Sequence, residues 1–435
     1  MAYQTKVTTG YGTRLKNSLG GMKAGAIMFI LATVLLFLNE GFYVKKDKAI
    51  QETKKALVRV SDISENPAAY NGKVIHANGP AETQDVLSDT LFGVNANAIS
   101  ISRRVEYFQY MESSSTQKKD KVGGSQETVT TYTYHEAWTS NPVNSGSFKD
   151  PDYKNSNFVL AKVDKEDFLA PNVSFGAYKL PRFIVNSIGE SVPAEVNLGG
   201  AELKQWEAQI AQNLAALNKK KDGNLVSVQG NVVYFGKSSA TPAIGDVRVT
   251  LTKVTPPADV SIIAKVVGNT FEKFIASNGW EFPNPVENGI VSAETMIAHA
   301  QSLNSLITWL LRLLGLILVV VGLKLLFDLL PTLLKVLPPL GAFMSAGVGL
   351  VCAVGGFAWT LVIIAIAWLF YRPVVAIVMI AIAAGGIFLL TKMKNKKKAD
   401  QAAVTAATAS ASWDCECGHK GNTGKFCAEC GKPRP

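Results

Sequence analysis

The chain has 435 residues, with 44 Lys and Arg against 34 Asp and Glu, a formal net charge of +10, and 48% apolar residues. Residues 42–305 are almost neutral, with 27 basic and 28 acidic residues, which leaves 17 basic and 6 acidic residues for the other segments. Basic residues confined to short segments beside apolar runs are typical of membrane topology. They exclude a freely soluble protein and a basic DNA-binding domain, so no nucleic-acid partner is expected.

The first apolar run extends from Met22 to Leu38 and predicts a transmembrane helix over residues 22–41. Residues 1–23 contain four basic residues and no acid, so we expect segment 1–21 to stay in the cytoplasm. A cleavable signal peptide is the alternative, but its basic region would be unusually long and no Ala-x-Ala pattern follows the run. The sequence therefore favours an uncleaved signal anchor.

A second apolar region, residues 306–391, is divided by prolines into three predicted spans: Leu306–Leu329, Leu340–Tyr371 and Pro373–Thr391. Five lysines follow within residues 392–398, which predicts that this end also lies in the cytoplasm. Both ends on one side require an even number of crossings. The sequence therefore predicts four transmembrane helices and places residues 42–305 outside, as an extracytoplasmic domain.

The predicted spans contain a few charged residues and one stripe of small residues. Lys324 and Asp328 are four residues apart and could neutralise each other, and Arg312 could extend its guanidinium toward the outer interface. The alternative is that these charges line a conduction path. The stripe in the middle span either forms a close helix contact or reflects ordinary membrane composition; it comprises Gly341, Ser345, Gly349 and Ala353.

The segment 42–305 contains no cysteine, so ordinary burial must build its core, and its patterning is mostly that of strands. Arg104–Met111 and Thr128–Tyr134 are rich in β-branched and aromatic residues, and the polar stretch Ser113–Gln126 separates them. We expect a long antiparallel hairpin with a solvated tip. Further strands are predicted at Asn157–Val163, Leu225–Phe235, Asp246–Val254 and Val260–Val267.

One segment of this domain, Ala201–Leu217, has the apolar spacing of an amphipathic helix. Packing on the sheet is favoured over lying on the membrane. Helices are also expected over Lys45–Arg59, extending the anchor, and over Ser292–Gln301, leading back to the membrane. Catalytic motifs are not found: the histidines His76, His135 and His299 are scattered, and the acids Asp164, Glu166 and Asp167 are interpreted as a solvated turn.

Residues 413–435 carry four cysteines in the pattern Cys-x-Cys, nine residues, Cys-x-x-Cys. Four thiolates can surround Zn²⁺ tetrahedrally, and the metal supplies folding energy that so short a segment cannot obtain from a core. A disulfide pair conflicts with a reducing cytoplasm, and no surrounding domain supports a redox Cys-x-x-Cys. The sequence predicts a structural zinc ribbon, tethered by residues 392–412, with ligands Cys415, Cys417, Cys427 and Cys430.

Several stretches resemble the transmembrane protein 43 (LUMA) family across about residues 20–392. They are Asn39-Glu40-Gly41, residues 103–110, residues 242–249 and Ala367-Trp368-Leu369-Phe370-Tyr371-Arg372-Pro373, of which the last is the most specific. The resemblance implies a multipass, self-associating protein that organises membrane-protein complexes and has no known catalytic residues. Animal members lie in the endoplasmic reticulum and inner nuclear membrane with emerin and lamins and lack the ribbon. The chain therefore resembles a prokaryotic relative, for which those partners do not apply.

The fold expected is a membrane protein with four transmembrane helices, a large β-rich (α+β) extramembrane domain and a small C-terminal zinc ribbon. The function expected is a non-enzymatic scaffold in a bacterial cytoplasmic membrane that recruits other membrane proteins. One alternative is a channel or transporter component lined by Arg312, Lys324, Asp328 and Arg372. The other is a membrane-anchored sensor whose β domain binds a lipid or small ligand, which requires a large apolar cavity.

Overall fold

The computed structural model describes residues 2–64 and 67–375, scattered positions from 377 to 392, and 412–435. Two compact units are distinguished, Met1–Ile363 and Ile364–Pro435. Most of the predicted fourth span and of the linker 392–412 lies outside the described residues.

The first unit contains two long helices that pack against each other. The long helix α1 (Tyr11–Ala56) runs antiparallel to α4 (Ala293–Phe327), and both extend well beyond the predicted spans because they continue into the β-rich domain. The remaining helices are α2 (Arg182–Val185), α3 (Gly200–Ala216), α5 (Leu329–Leu334) and α6 (Pro338–Tyr371). Within the described residues, α1, α4 and α6 are long and apolar enough to cross a membrane. The helix expected before the membrane re-entry is confirmed, with Ser292 as its N-cap.

The β-rich domain predicted between the first two spans is confirmed and contains two large sheets. The first has the order β1-β7-β6-β14-β13-β12, with β11 beside β14 and β8 beside β6. Its strands are β1 (Tyr3–Thr9), β6 (Ser100–Asp120), β7 (Gln126–Thr139), β8 (Glu166–Leu169), β11 (Val192–Pro193), β12 (Val226–Gln229), β13 (Val232–Phe235) and β14 (Val247–Val254).

The second sheet has the order β2-β3-β15-β16-β10-β9, with β17 beside β15, and a separate hairpin joins two further strands. The sheet contains β2 (Leu57–Val60), β3 (Val74–Ala81), β9 (Ser174–Phe175), β10 (Tyr178–Lys179), β15 (Ala258–Val267), β16 (Thr270–Glu272) and β17 (Val286–Asn288). The separate hairpin is β4 (Val86–Asp89) with β5 (Val94–Asn97).

The main core contains residues of both large sheets and of α3. Strand β14 buries alternate residues such as Val247 and Val249, as expected for a strand with one face on a core. In α3, Trp206 and Ile210 are buried against the same core, so packing of this helix on the sheet domain is confirmed. Strand β15 is covered on both faces because Ile263 belongs to a second cluster with residues of α1 and α4.

Three expectations for the strands are wrong. Leu225–Phe235 is not one strand but the hairpin of β12 and β13, with a turn at Gly230, where φ is +61°. Asn157–Val163 forms no strand; instead the Asn157 side chain bonds to the backbone of Tyr110, and the Leu160 amide bonds to the Gly245 carbonyl. The hairpin tip is also much shorter than Ser113–Gln126, because β6 and β7 stay paired as far as Asp120 and Gln126. Hydroxyl contacts such as Ser113–Thr133, at 2.7 Å, continue the ladder through this polar stretch.

Strand β1, inside the segment 1–21, was not predicted. Its seven residues pair antiparallel with β7, from Tyr3 opposite Tyr132 to Thr9 opposite Gln126. The N-terminal segment therefore adds an edge strand to the far end of the β6–β7 hairpin.

Candidate metal centre

The C-terminal segment folds as two cysteine-bearing turns. In the first, the Cys415 amide donates to the His419 carbonyl, and in the second the Cys427 amide donates to the Lys432 carbonyl. Each turn ends in a glycine with positive φ, +97° at Gly418 and +68° at Gly431, a conformation that an L side chain would strain. The two turns are built alike, which points their sulfurs toward one another.

The four predicted ligands come together. Their sulfurs lie within 4.8 Å of one another, with Cys415 and Cys430 at 3.5 Å and Cys417 and Cys427 at 3.6 Å. Tetrahedral zinc with Zn–S bonds of about 2.3 Å requires sulfurs about 3.8 Å apart, whereas a disulfide requires about 2.05 Å. The four side chains therefore form a group that could hold a metal ion.

Backbone amides and a tryptophan support this cluster. The amide of Cys430 is the main cause that lowers the pKa of the Cys427 thiol to about 6, whereas hydrogen bonds to neighbouring sulfurs help to raise the pKa values of Cys415 and Cys417. The Trp413 ring is buried beside Cys415 and Cys427, and its Nε1 donates to the Gly424 carbonyl at 2.8 Å. His419 bonds to Glu429 at 2.9 Å, consistent with its being surplus to a four-sulfur shell.

The charges predicted in the spans have specific partners in the first unit. Arg312 does not extend to the interface; it binds Glu40 through two hydrogen bonds of 2.6 and 2.7 Å, and Glu40 is 1% exposed. Asp328 accepts from Ser18 Oγ at 2.7 Å instead of forming the expected ion pair with Lys324. Arg372 lies in the second unit.

The close helix contact uses different glycines from the predicted stripe. An added Cβ at Gly25 of α1 would lie 2.7 Å from the Gly322 carbonyl oxygen of α4, so the two backbones touch there. In α6, Cys352 and Gly356 are buried, while Ala353 of the predicted stripe is exposed. The sequence does hold one signal for this contact, because Gly21 and Gly25 are four residues apart, the small-residue spacing of close helix contacts.

The scattered histidines and acids do not converge on a catalytic site. His76 is buried and bonds to the Val291 carbonyl, whereas His135 is exposed on β7. The three acids are not simply a solvated turn, because Glu166 begins β8 and binds Arg103 at 2.6 Å. Arg103 is 5% exposed and also binds the buried Asp89 with two bonds of 2.9 Å, so this ion pair anchors the strands.

Comparison with known proteins agrees with this architecture. The sequence profile of the family described as Transmembrane protein 43 matches residues 107–373. Transmembrane protein 43 of Rattus norvegicus is 26% identical over 398 residues, covering 89% of this chain and 94% of its own length. The Homo sapiens protein is 26% identical over 404 residues, covering 91% and 95%. The Drosophila melanogaster homolog is 25% identical over 364 residues, covering 81% and 89%.

No solved structure matches the chain. The family profile spans more than half of the chain and includes the hairpin, α4 and α6, and the predicted resemblance is thereby confirmed. This integral membrane protein belongs to the transmembrane protein 43 family.

Proposed function

We propose that the chain is a non-enzymatic membrane scaffold, with a β-rich domain and a zinc ribbon held on opposite faces of one membrane. The observation that carries the proposal is the C-terminal cluster, in which four thiolates would fill every position around a metal. A closed site of this kind stabilises a small fold and leaves no open coordination position for substrate. The ribbon then serves as a docking module for other membrane proteins, and self-association belongs to the same proposal.

Several contacts favour a scaffold over the channel alternative. Arg312 is neutralised by Glu40, and Asp328 is held by Ser18, so these charges join helices instead of standing free in a path. The sensor alternative requires a large apolar cavity, but the described residues between the two sheets form one continuous packed core.

The proposed topology keeps both termini in a reducing cytoplasm, with the bulk of residues 42–305 across the membrane. The named relatives are animal proteins, whereas the proposal here is a bacterial cytoplasmic membrane. A reducing compartment supports zinc over a disulfide at the four cysteines.

Metal content tests the ribbon. We expect about one zinc per intact chain, and loss of zinc in Cys427→Ser/Cys430→Ser, because two of four ligands are gone. Cys352→Ser is the matched control, since this cysteine is buried in α6 outside the cluster. Wild-type protein free of metal, with oxidised thiols, would contradict the assignment.

Pull-down from native membranes in mild detergent tests the docking role. Three chains are compared: the wild type, a chain without residues 399–435, and Cys427→Ser/Cys430→Ser. We expect both altered chains to lose the same set of co-purified membrane proteins, because removing the metal unfolds the ribbon. An unchanged set after deletion of residues 399–435 would contradict docking through the ribbon.

A further inference from the structure

The end of the β6–β7 hairpin meets the beginning of α1 and the segment after α4, and we call this meeting point the N-terminal junction. Strand β1 pairs with β7 there, as described above. Arg14 is 7% exposed, binds Asp120 at 2.8 Å and donates to the Gly124 carbonyl at 2.7 Å. Gly123 donates to the Val336 carbonyl at 3.1 Å, so three separate segments of the chain are joined.

The opposite end of α1 is attached to the β-rich domain. The Ser277 hydroxyl and amide donate to Glu52 at 2.6 and 2.7 Å, and Asn278 donates to the Lys45 carbonyl. Helix α1 therefore connects the N-terminal junction to the domain through its apolar run Met22–Leu38. The hairpin connects the same junction to the domain by a second route, through its pairing with β14 in the first sheet.

The lengths of the two routes agree with a crossing. The 31 steps from Arg14 to Lys45 cover about 46 Å of helix at 1.5 Å per residue. The 11 steps from Gln109 to Asp120 cover about 36 Å of strand at 3.3 Å per residue, against a hydrocarbon thickness of about 30 Å. If α1 crosses the membrane between the junction and the domain, the hairpin that links the same junction to the same domain must also pass through that depth.

The part of the β6–β7 hairpin between its base and its end cannot face lipid. Every side chain from Ser113 to Lys119 in β6 is exposed, and these seven residues are Ser, Thr, Gln and Lys. Among the described strands, β14 pairs with β6 only as far as Tyr107, so the edge of β6 from Met111 onward has no second strand. Unpaired backbone and polar side chains at bilayer depth are tolerated only where water or protein surrounds them.

The charge of the junction also favours the cytoplasmic side. The hairpin end carries Lys118, Lys119 and Lys121, and the start of α1 carries Arg14 and Lys16. Basic residues concentrate at the cytoplasmic ends of membrane helices. The lysines of the hairpin therefore follow the same rule as those of the N-terminal segment.

We propose that the β6–β7 hairpin passes through the depth of the bilayer beside α1 in a water-filled crevice. Its end, residues 118–128, lies on the same side as residues 7–14, away from the rest of the β-rich domain, and the first residues of β1 lie along β7 within the crevice. This inference rests on α1 crossing the membrane and does not depend on the ribbon or its metal.

Disulfide trapping in native membranes tests the junction, in a full-length chain with its five cysteines replaced by serine. Val7 and Thr128 face each other in the β1–β7 register, so Val7→Cys/Thr128→Cys should cross-link within one chain. The control is Val7→Cys/Thr133→Cys, whose second residue lies about 17 Å further along the strand. Equal cross-linking of both pairs, or no cross-linking of the Val7/Thr128 pair, would contradict the pairing of β1 with β7 at the N-terminal junction.

Labelling with a membrane-impermeant maleimide in sealed vesicles tests the crossing. Val122→Cys, at the 82% exposed hairpin end, should react from the same side as Thr8→Cys and opposite to Ala240→Cys in the β-rich domain. In opened vesicles, Ser115→Cys should react at least tenfold faster than Leu31→Cys, a 63% exposed position on the apolar run of α1.

Each failure is distinguishable. Reaction of Val122→Cys from the Ala240 side would overturn the crossing, and equal slow reaction at Ser115 and Leu31 would overturn the crevice. Variants are compared only where their thermal midpoints in detergent match that of the cysteine-free parent, so misfolding is recognised separately.

Discussion

Glu40 and Arg312 are 272 positions apart in sequence and form a two-bond ion pair between α1 and α4. Two further polar contacts join the same helices beside this pair: the Asn39 side chain donates to the Thr308 carbonyl, and the Asn304 side chain donates to the Tyr43 carbonyl. The Arg312 guanidinium also lies 4.6 Å from the centre of the Trp309 ring. Because polar side chains gain little from water here, each is satisfied by the opposite helix, and together they fix the register of the two helices.

Removing one partner of this ion pair should be more harmful than removing both. Arg312→Met leaves the 1% exposed Glu40 carboxylate without its cation, and the expected cost is about 3–5 kcal/mol. Glu40→Gln/Arg312→Met leaves no uncompensated charge and should recover part of that loss. Denaturation in mixed micelles with increasing SDS measures both variants, and equal stability of the single and double variants would contradict the pairing.

His76 should make the stability of the β-rich domain depend on pH. Burial is the main cause that lowers the pKa of His76, so the folded protein binds its proton less readily than the unfolded chain does. The stabilising contribution is therefore present above the unfolded value of 6.5 and is lost as pH falls toward the lowered folded value.

The measurement is the thermal midpoint of the intact chain in detergent from pH 7.5 to 5.5. His76→Gln should flatten the decline toward low pH, because it removes the titrating ring. His135→Gln, at an exposed position of β7, is the control and should follow the wild-type curve. A wild-type midpoint that rises on acidification in parallel with His76→Gln would contradict the role of His76.

Elements that bury a regular face could be predicted from the sequence, whereas those defined by distant partners could not. Helix α3 was identified because Trp206, Ile210 and Leu214 repeat at helical spacing, and β14 because its apolar residues alternate. Strand β1 carries no such signal, since its partner lies more than 110 residues away. Asn157–Val163 contains the short apolar run Phe158–Ala161, which is typical of a strand, yet its hydrogen bonds are made by the Asn157 side chain and by single backbone contacts instead of a partner strand.

At the candidate site, the cysteine spacing was enough to predict that the four side chains come together, because all four lie within residues 415–430. The helix contacts were not local. Glu40 was visible in the sequence as part of a polar break after the anchor, but nothing near it indicated Arg312 as its partner. Matching each acidic residue beside one predicted span with each basic residue of another span would have suggested Glu40 and Arg312 as partners.

The contact of α1 with α4 depends on bare backbone at Gly25. A Cβ there would lie 2.7 Å from the Gly322 carbonyl oxygen and 2.8 Å from the Leu326 amide nitrogen, and neither backbone atom can turn aside. Gly25→Ala should therefore destabilise the bundle by about 1–3 kcal/mol, as overpacking does. Gly20→Ala, with no heavy atom within 4 Å of the added carbon, should be neutral or slightly stabilising.

SDS denaturation in mixed micelles compares these two variants directly, since both exchange glycine for alanine in the same helix. A stabilising effect of Gly25→Ala equal to that of Gly20→Ala would mean that α1 and α4 do not approach as closely as described.

At the scale of the whole molecule, the distribution of charge and the number of membrane-crossing helices together determine on which side of the membrane each terminus lies. Three described helices can cross a membrane, and the predicted fourth span lies largely outside the described residues. The residues outside 42–305 carry the excess of basic over acidic side chains, and they flank the apolar runs. An excess of this kind at both ends of a chain favours both ends on the cytoplasmic face, which an odd number of crossings cannot provide.

Reporter fusions distinguish three crossings from four. A reporter fused before residue 1 and one fused after Pro435 should be found on the same face, because the basic residues of segments 1–23 and 392–398 both favour the cytoplasmic side. A chain truncated after Arg372 ends before the predicted fourth span, so its reporter should move to the opposite face, where a reporter inserted beside Ala240 should also be found. The truncated and complete chains share α1, α4 and α6, so the difference between them isolates residues 373–435. If both C-terminal reporters were found opposite the N-terminal one, the chain would cross three times, and the cysteine cluster would belong to the same compartment as the β-rich domain.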